Sequence, residues 1–265
     1  LFERINITYK LLSMLQIYQT ALDFWFLLGF ITFLILLKIP APYGKFSKSN
    51  WGSWFFIMIP SQLGWVVMEI ISPIMLAYFF LTGPVEKSLV SYIFFILWVA
   101  HYFNRSIIYP LRQNNPSKMP LLIPLLAFLF NIINGSVNGY HLGFVQSYSF
   151  EYIYEWNFIL GVILFLIGAI INIKSDNILL GLRSNDKGYH IPNGFMYKYV
   201  SYPNYLGEIM EWVAFALMTW SLAGLSFAVW TIANLVPRAI AGHKWYNETF
   251  DNYPKNRKAI LPYIL

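Results

Sequence analysis

Two stretches of this chain set amides, carboxylates and a guanidinium at helical spacing inside sequence that is otherwise apolar. In NIKSDNILLGLR, Asn172 and Asp176 are four residues apart and Arg183 follows seven later, so the three share one helical face. In YPNYLGEIMEW, Asn204, Glu208 and Glu211 step by four and then three, again along one face. An ionisable group at membrane depth costs roughly 2.5–3.5 kcal/mol on insertion scales, and such groups persist where they line a site. Two polar faces joined by a polar loop are the walls of a pocket for a polar ligand. The bland account of the first face is a solvated helix end, which Lys174 and Ser175 favour. It suits the second face less well, because two acids there lead straight into an apolar span.

Further polar residues lie upstream. Glu69 sits in GWVVMEIISP, one turn after Trp65, and HYFNRSIIYP carries His101, Tyr102, Arg105 and Tyr109. His101 and Arg105 are at i,i+4, while Tyr102 and Tyr109 are a heptad apart and share a face. A buried carboxyl beside a phenol suits reduction next to a carbonyl. The carboxyl orients the phenolic O–H, which donates to the oxygen where negative charge grows. The structural alternatives are a packing role for Tyr102 and an ion pair between Glu69 and Arg105. There is no GxGxxG after a strand, no P-loop and no HExxH. Gly181, Gly188 and Gly194 read as isolated turn glycines, and any bound dinucleotide must sit within a helical bundle. The four histidines, His101, His141, His190 and His243, lack metal-ligand spacing, so no metal is expected.

The elements that must hold these residues are membrane helices. The chain has 265 residues, 58% hydrophobic and 11% charged, against about 25% charged in a soluble domain. The lack of cysteine excludes disulfides, thiolate metal sites and a cysteine nucleophile. A net charge of +6 does not point to nucleic acid, because the basic residues are spread over loops. A span needs roughly 20 mainly apolar residues. That predicts seven, near 20–39, 52–81, 88–110, 120–138, 155–175, 204–221 and 223–241. Pro60 and Pro73 kink or divide the second, and a tight turn around Leu222–Gly224 makes the last two a hairpin. No linker separates domains, so residues 1–265 form a single unit. Lys and Arg gather in the loops 40–51, 111–119 and 176–203 and in the tail, while Arg4, Lys10 and Lys87 lie on the other side. The positive-inside rule then sets the C-terminus in the cytosol and the N-terminus outside. Residues 1–19, with Glu3, Arg4 and Lys10, do not look like a cleavable signal. The tail YPKNRKAILPYIL suits a basic tether to anionic headgroups. Abundant Ile, Asn, Lys, Tyr and Phe suggest an AT-rich genome and point to a bacterial source.

NIKSDNILLGLR, GYHIPNGFMYKYVSYPNYLGEIMEW and RAIAGHKWYNETFDNYPKNRKAILPYIL closely resemble the C-terminal half of the steroid 5α-reductase family. HYFNRSIIYP and WVVMEIISP resemble its third-helix and second-helix segments, so the likeness covers roughly residues 60–265. The resemblance implies an oxidoreductase of the inner membrane or endoplasmic reticulum, using NADPH from the cytosol and a 3-oxo-Δ4 steroid from the lipid, with no obligate protein partner. It implies catalytic Glu69 and Tyr102 on the ketone and Trp65 against the substrate, in a ketone-polarising part mainly within 60–110. It also implies a cofactor part mainly within 172–265, with Asn172, Asp176, Arg183, Tyr189, Asn204, Glu208 and Tyr246, and with Arg105 and Tyr109 nearby. Two positions depart from the family pattern: Met68 stands where glutamine is usual, and His190 where arginine is common. The alternatives are a membrane enoyl-thioester reductase, an S-adenosylmethionine-dependent isoprenylcysteine or phospholipid methyltransferase, and a seven-helix receptor or transporter.

Overall fold

The computed structural model describes residues 2–39, 46, 57–114, 118–185 and 188–265, with side chains from residue 14 onward except 183–187. Among the described residues, seven helical rods carry the fold: α1 (Phe2–Lys38), α2 (Ser61–Thr82), α3 (Leu89–Phe103), α5 (Leu122–Tyr140), α6 (Trp156–Asn185), α7 (Pro203–Thr219) and α8 (Leu222–Thr249). A π-helical turn (Asn104–Ile108) joins α3 to the single turn α4 (Tyr109–Leu111), and a second π turn (His141–Val145) ends α5. Five rods contain stretches long and apolar enough to cross a membrane: Met14–Lys38, Ser61–Thr82, Leu122–Val145, Trp156–Leu182 and Leu222–Thr249. α3 and α7, at 15 and 17 residues, fall short on their own. Outward faces are apolar: Phe24, Leu27 and Ile31 on α1, Leu126 and Leu129 on α5, and Ile163, Leu166 and Ile170 on α6 are exposed. That is a multi-pass membrane protein.

The structure changes several expectations. The helix predicted over 52–81 starts only at Ser61, and residues 51–56 lie outside the described residues. Ahead of it, β1 (Met58–Pro60) pairs antiparallel with β2 (Lys118–Pro120), Ile59 opposite Met119, so the chain is not purely helical. Pro60 accounts for this, since it lacks an N–H and steers Ile59 to extended backbone. The turn between the last two helices falls at Trp220, in left-handed backbone (φ 47°), and Ser221, whose side chain accepts from Gly224 N–H and caps α8. Gly181 is helical rather than a turn residue, because α6 runs on to Asn185, well past the end expected near residue 175. α8 likewise runs on to Thr249.

Glycine lets two helix pairs approach closely. Along α5, Gly135, Gly139 and Gly143 face the backbone of Ser72, Leu76 and Phe79 in turn. The sequence numbers rise together, so α2 and α5 run parallel in register. A Cβ on Gly139 would lie 2.7 Å from the Leu76 carbonyl oxygen. Gly139→Ala is therefore expected to destabilise the fold by about 1–3 kcal/mol, the usual range for overpacking. The readout is the apparent melting temperature in detergent, and an unchanged melt would refute the contact. In α6 and α7, Gly168 and Gly207 meet so that a Cβ on Gly207 would reach 2.5 Å from the Asn172 nitrogen. Between the two pairs lies an aromatic core with Phe94, Trp98, Tyr102, Trp212, Phe215 and Phe227.

The tail is not a free tether. Lys258 N–H donates to the Tyr199 carbonyl, while Ser201 and Tyr202 N–H donate to Lys258 and Ala259. Buried Arg257 donates to the Pro192 carbonyl at 2.9 Å and to Asn193 Oδ1 at 2.6 Å. The tail thus straps the loop that leads into α7.

Candidate active site

The close approach at Gly207 brings the α6 and α7 polar faces together. Asn172 Nδ2 donates to the Asn204 carbonyl at 3.0 Å, and Asn204 Nδ2 donates to Asp176 Oδ1 at 3.0 Å. Across from them, where α3 passes into its π turn, Arg105 Nη1 donates to Asp176 Oδ2 at 3.3 Å. Its Nη2 lies 3.7 Å from Glu208 Oε2. The guanidinium carbon sits 4.4 Å above the Trp65 ring and 5.5 Å from that of Tyr109, and those rings meet edge-on at 5.1 Å. A π turn re-aims side chains by one extra residue, and such turns recur at functional sites.

Glu211 behaves differently from its neighbours on the α7 face. Its Oε2 lies 2.8 Å from His101 Nδ1, with both side chains almost fully buried. His101 and Arg105, at i,i+4, therefore serve different acids: His101 faces Glu211, and Arg105 faces Asp176 and Glu208. Arg105 makes its close contacts with Asp176 and Glu208, while Glu69 acts on it electrostatically without a direct ion pair.

The upstream pair meets on a residue that the charged positions do not reveal. Tyr102 O–H donates to Asn131 Oδ1 at 3.0 Å, and Asn131 Nδ2 reaches Glu69 Oε2 at 3.5 Å. The Tyr102 ring is held against Trp98 at 5.5 Å and Trp212 at 5.8 Å between centroids. Asn131, Asn134 and Asn138 step by three and four along α5, the spacing that marks the other polar faces. Amides in an apolar span thus carry the signal as well as charges do.

Other expected cofactor residues form a separate aromatic layer. Exposed Tyr189 touches Trp245 at 5.1 Å, and buried Tyr246 stacks on Tyr253 of the tail at 5.2 Å. Tyr197, which carries no sequence signal, lies between this layer and the Asp176 network. Its hydroxyl donates to the Ser175 carbonyl at 3.4 Å. Burial pushes its phenol well above the usual range, and the Asp176 carboxylate and the Tyr246 phenol push the same way. Arg183 lies on α6, and its side chain falls outside the described residues. His190 is exposed in the loop before α7.

A family sequence pattern described as 3-oxo-5-alpha-steroid 4-dehydrogenase matches residues 117–265. The steroid 5-alpha-reductase DET2 of Solanum lycopersicum is 39% identical over 246 residues, covering 91% of this chain and 94% of the relative. The 3-oxo-5-alpha-steroid 4-dehydrogenase 1 of Rattus norvegicus is 34% identical over 243 residues, covering 90% and 92%. The Homo sapiens protein of the same name is 37% identical over 211 residues, covering 78% and 82%. The chain belongs to the steroid 5α-reductase family. These relatives come from a plant and from mammals, which gives the bacterial source suggested by composition no support.

Proposed function

We propose that this protein reduces the C4–C5 double bond of 3-oxo-Δ4 steroids to 5α-reduced 3-oxo steroids, with NADPH as reductant. One observation carries the residue assignment: Glu69 and Tyr102, from different helices, meet on one buried amide, Asn131, and Tyr102 stands three residues before Arg105 of the neighbouring network. The names of the relatives supply the substrate class.

The Arg105 network fits a nicotinamide nucleotide by the chemistry of its donors and acceptors. Among the described residues, buried Arg105 Nε and Asn204 Oδ1 have no hydrogen-bond partner, one a donor and the other an acceptor. A carboxamide offers both complements. Asn172, Asp176, Asn204 and Glu208 would hold the amide and ribose hydroxyls, with Arg105 and Tyr109 beside them. Tyr189, Tyr246 and Arg183 would hold the rest. Arginine suits pyrophosphate or a 2′-phosphate, and His190 is a poorer partner for that phosphate than an arginine. The reduced nicotinamide supplies hydride when bound.

The protein's own part is to bind, orient and polarise. Tyr102 donates its hydroxyl hydrogen to the ketone oxygen, where negative charge accumulates as the conjugated double bond is reduced. Glu69 orients that hydrogen bond, and Trp65 packs against the substrate. Burial keeps water from competing for the donor, so the bond strengthens as charge develops. The topology proposed with this function is seven spans, N-terminus outside and C-terminus cytosolic, in the endoplasmic reticulum or a bacterial inner membrane. Steroid then enters from lipid and nucleotide from the cytosol.

Purified protein given NADPH and progesterone or testosterone should yield a product heavier by two hydrogens, read by mass. Absence of that product would refute the steroid assignment. Turnover of an enoyl thioester in its place would move the protein to fatty-acid elongation.

A further inference from the structure

We infer that Asn131 is a positioning residue for the Glu69–Tyr102 pair, and this rests on the roles proposed for those two side chains. Asn131 is 4% exposed, and its amide makes three polar contacts at the junction of α2, α3 and α5. Nδ2 donates to the Met68 carbonyl at 2.6 Å and reaches Glu69 Oε2 at 3.5 Å, while Oδ1 accepts from Tyr102 at 3.0 Å.

Two arguments make this more than a satisfied polar group. The first is register. Asn131 stands one turn before Gly135 on α5, and Met68 stands one turn before Ser72 on α2, so the contact continues the ladder of glycines and backbone. A glycine would suffice for close approach there, yet the position holds an amide. The second is the direction of the hydrogen bonds. A backbone carbonyl and a carboxylate oxygen both accept, so the NH2 end of the amide must face α2. The oxygen end then faces Tyr102, and the phenol must donate. Asn131 therefore points the Tyr102 hydrogen toward the Glu69 side of the site before substrate arrives, and it tethers the Glu69 carboxyl to the same point. On binding, the hydrogen has only to rotate about the phenolic C–O bond, because the ring is fixed between Trp98 and Trp212. Met68, next to Glu69 on α2, has no polar head with which to do this.

The test compares wild type, Tyr102→Phe, Asn131→Leu and Asn131→Asp as full-length protein in detergent, with NADPH affinity followed by nucleotide fluorescence. Asn131→Leu should lower kcat for enone reduction by about ten- to a hundredfold, the scale of a small misplacement of a reacting group. KM for NADPH should not change. Asn131→Asp keeps the shape and sets a second carboxyl beside Glu69, in surroundings that also hold Tyr102, Arg105, His101 and Glu208. Two adjacent carboxyls resist double ionisation. Activity of this variant should therefore recover as pH falls and one of them regains a donor hydrogen. A pH profile of Asn131→Asp that overlays wild type would overturn the inference. So would Asn131→Leu turning over at the wild-type rate while Tyr102→Phe is impaired. If wild type does not reduce the enone, the functional proposal fails and takes this inference with it.

Discussion

Tyr102→Phe should reduce kcat for steroid reduction by about 10²–10³-fold, the usual loss on removing one donor to a developing oxyanion. The substitution removes a single oxygen. The ring keeps its places against Trp98 and Trp212, so the aromatic core is preserved. What disappears is the hydrogen that reaches Asn131 at rest and the ketone during reaction. That interaction strengthens as charge builds on oxygen, so the loss falls on kcat rather than on KM for steroid. Leaving Asn131 Oδ1 without its donor costs about 1–3 kcal/mol of stability, small enough for folded protein to be purified. NADPH affinity should match wild type, because the Arg105 network is untouched. Steady-state kinetics with mass detection and a nucleotide titration separate these effects. A variant within about twofold of wild type in kcat would remove Tyr102 from the chemistry, given the scale above.

The sequence shows which residues matter more readily than whom they meet. Spacing placed Asn172, Asp176, Asn204 and Glu208 on two facing helices, and the structure joins them. Helix periodicity says nothing about the partner across the bundle, so the close contacts of Arg105 with Asp176 and Glu208 were not readable. The same holds for His101 and Glu211, which pair across 110 residues. Asn131 was readable in principle, since three amides at helical spacing in an apolar span follow the rule applied to the acids. The helix ends were misplaced for a physical reason. Reading the apolar runs ends these helices near residues 175 and 241, whereas the backbone hydrogen bonds of α6 and α8 run on to Asn185 and Thr249. Asp176 and Tyr246 lie on those added turns, so part of the candidate cofactor site stands on helix that the apolar runs alone did not mark. β1 could be anticipated only from Pro60, and the strapped tail from nothing local.

Asp176→Ala should abolish measurable NADPH binding and lower stability, by less than the about 3–5 kcal/mol of a wholly unpaired buried charge, because Arg105 keeps Glu208. Asp176 accepts from both Arg105 at 3.3 Å and Asn204 at 3.0 Å, so its loss frees two walls of the pocket at once. Glu208 is a longer and more exposed partner of Arg105, at 3.7 Å with 18% of its side chain accessible against 8% for Asp176. Solvent screens such a pair more effectively, so Glu208→Ala should destabilise less. The two single variants and the double variant form a cycle on the shared guanidinium. Their effects should not add, because Arg105 leans on Glu208 once Asp176 is gone. Thermal melts give the stability order, and nucleotide titration gives the binding. If Asp176→Ala melts lower yet binds NADPH as tightly as wild type, the network is a structural clamp and the nucleotide lies elsewhere in the bundle.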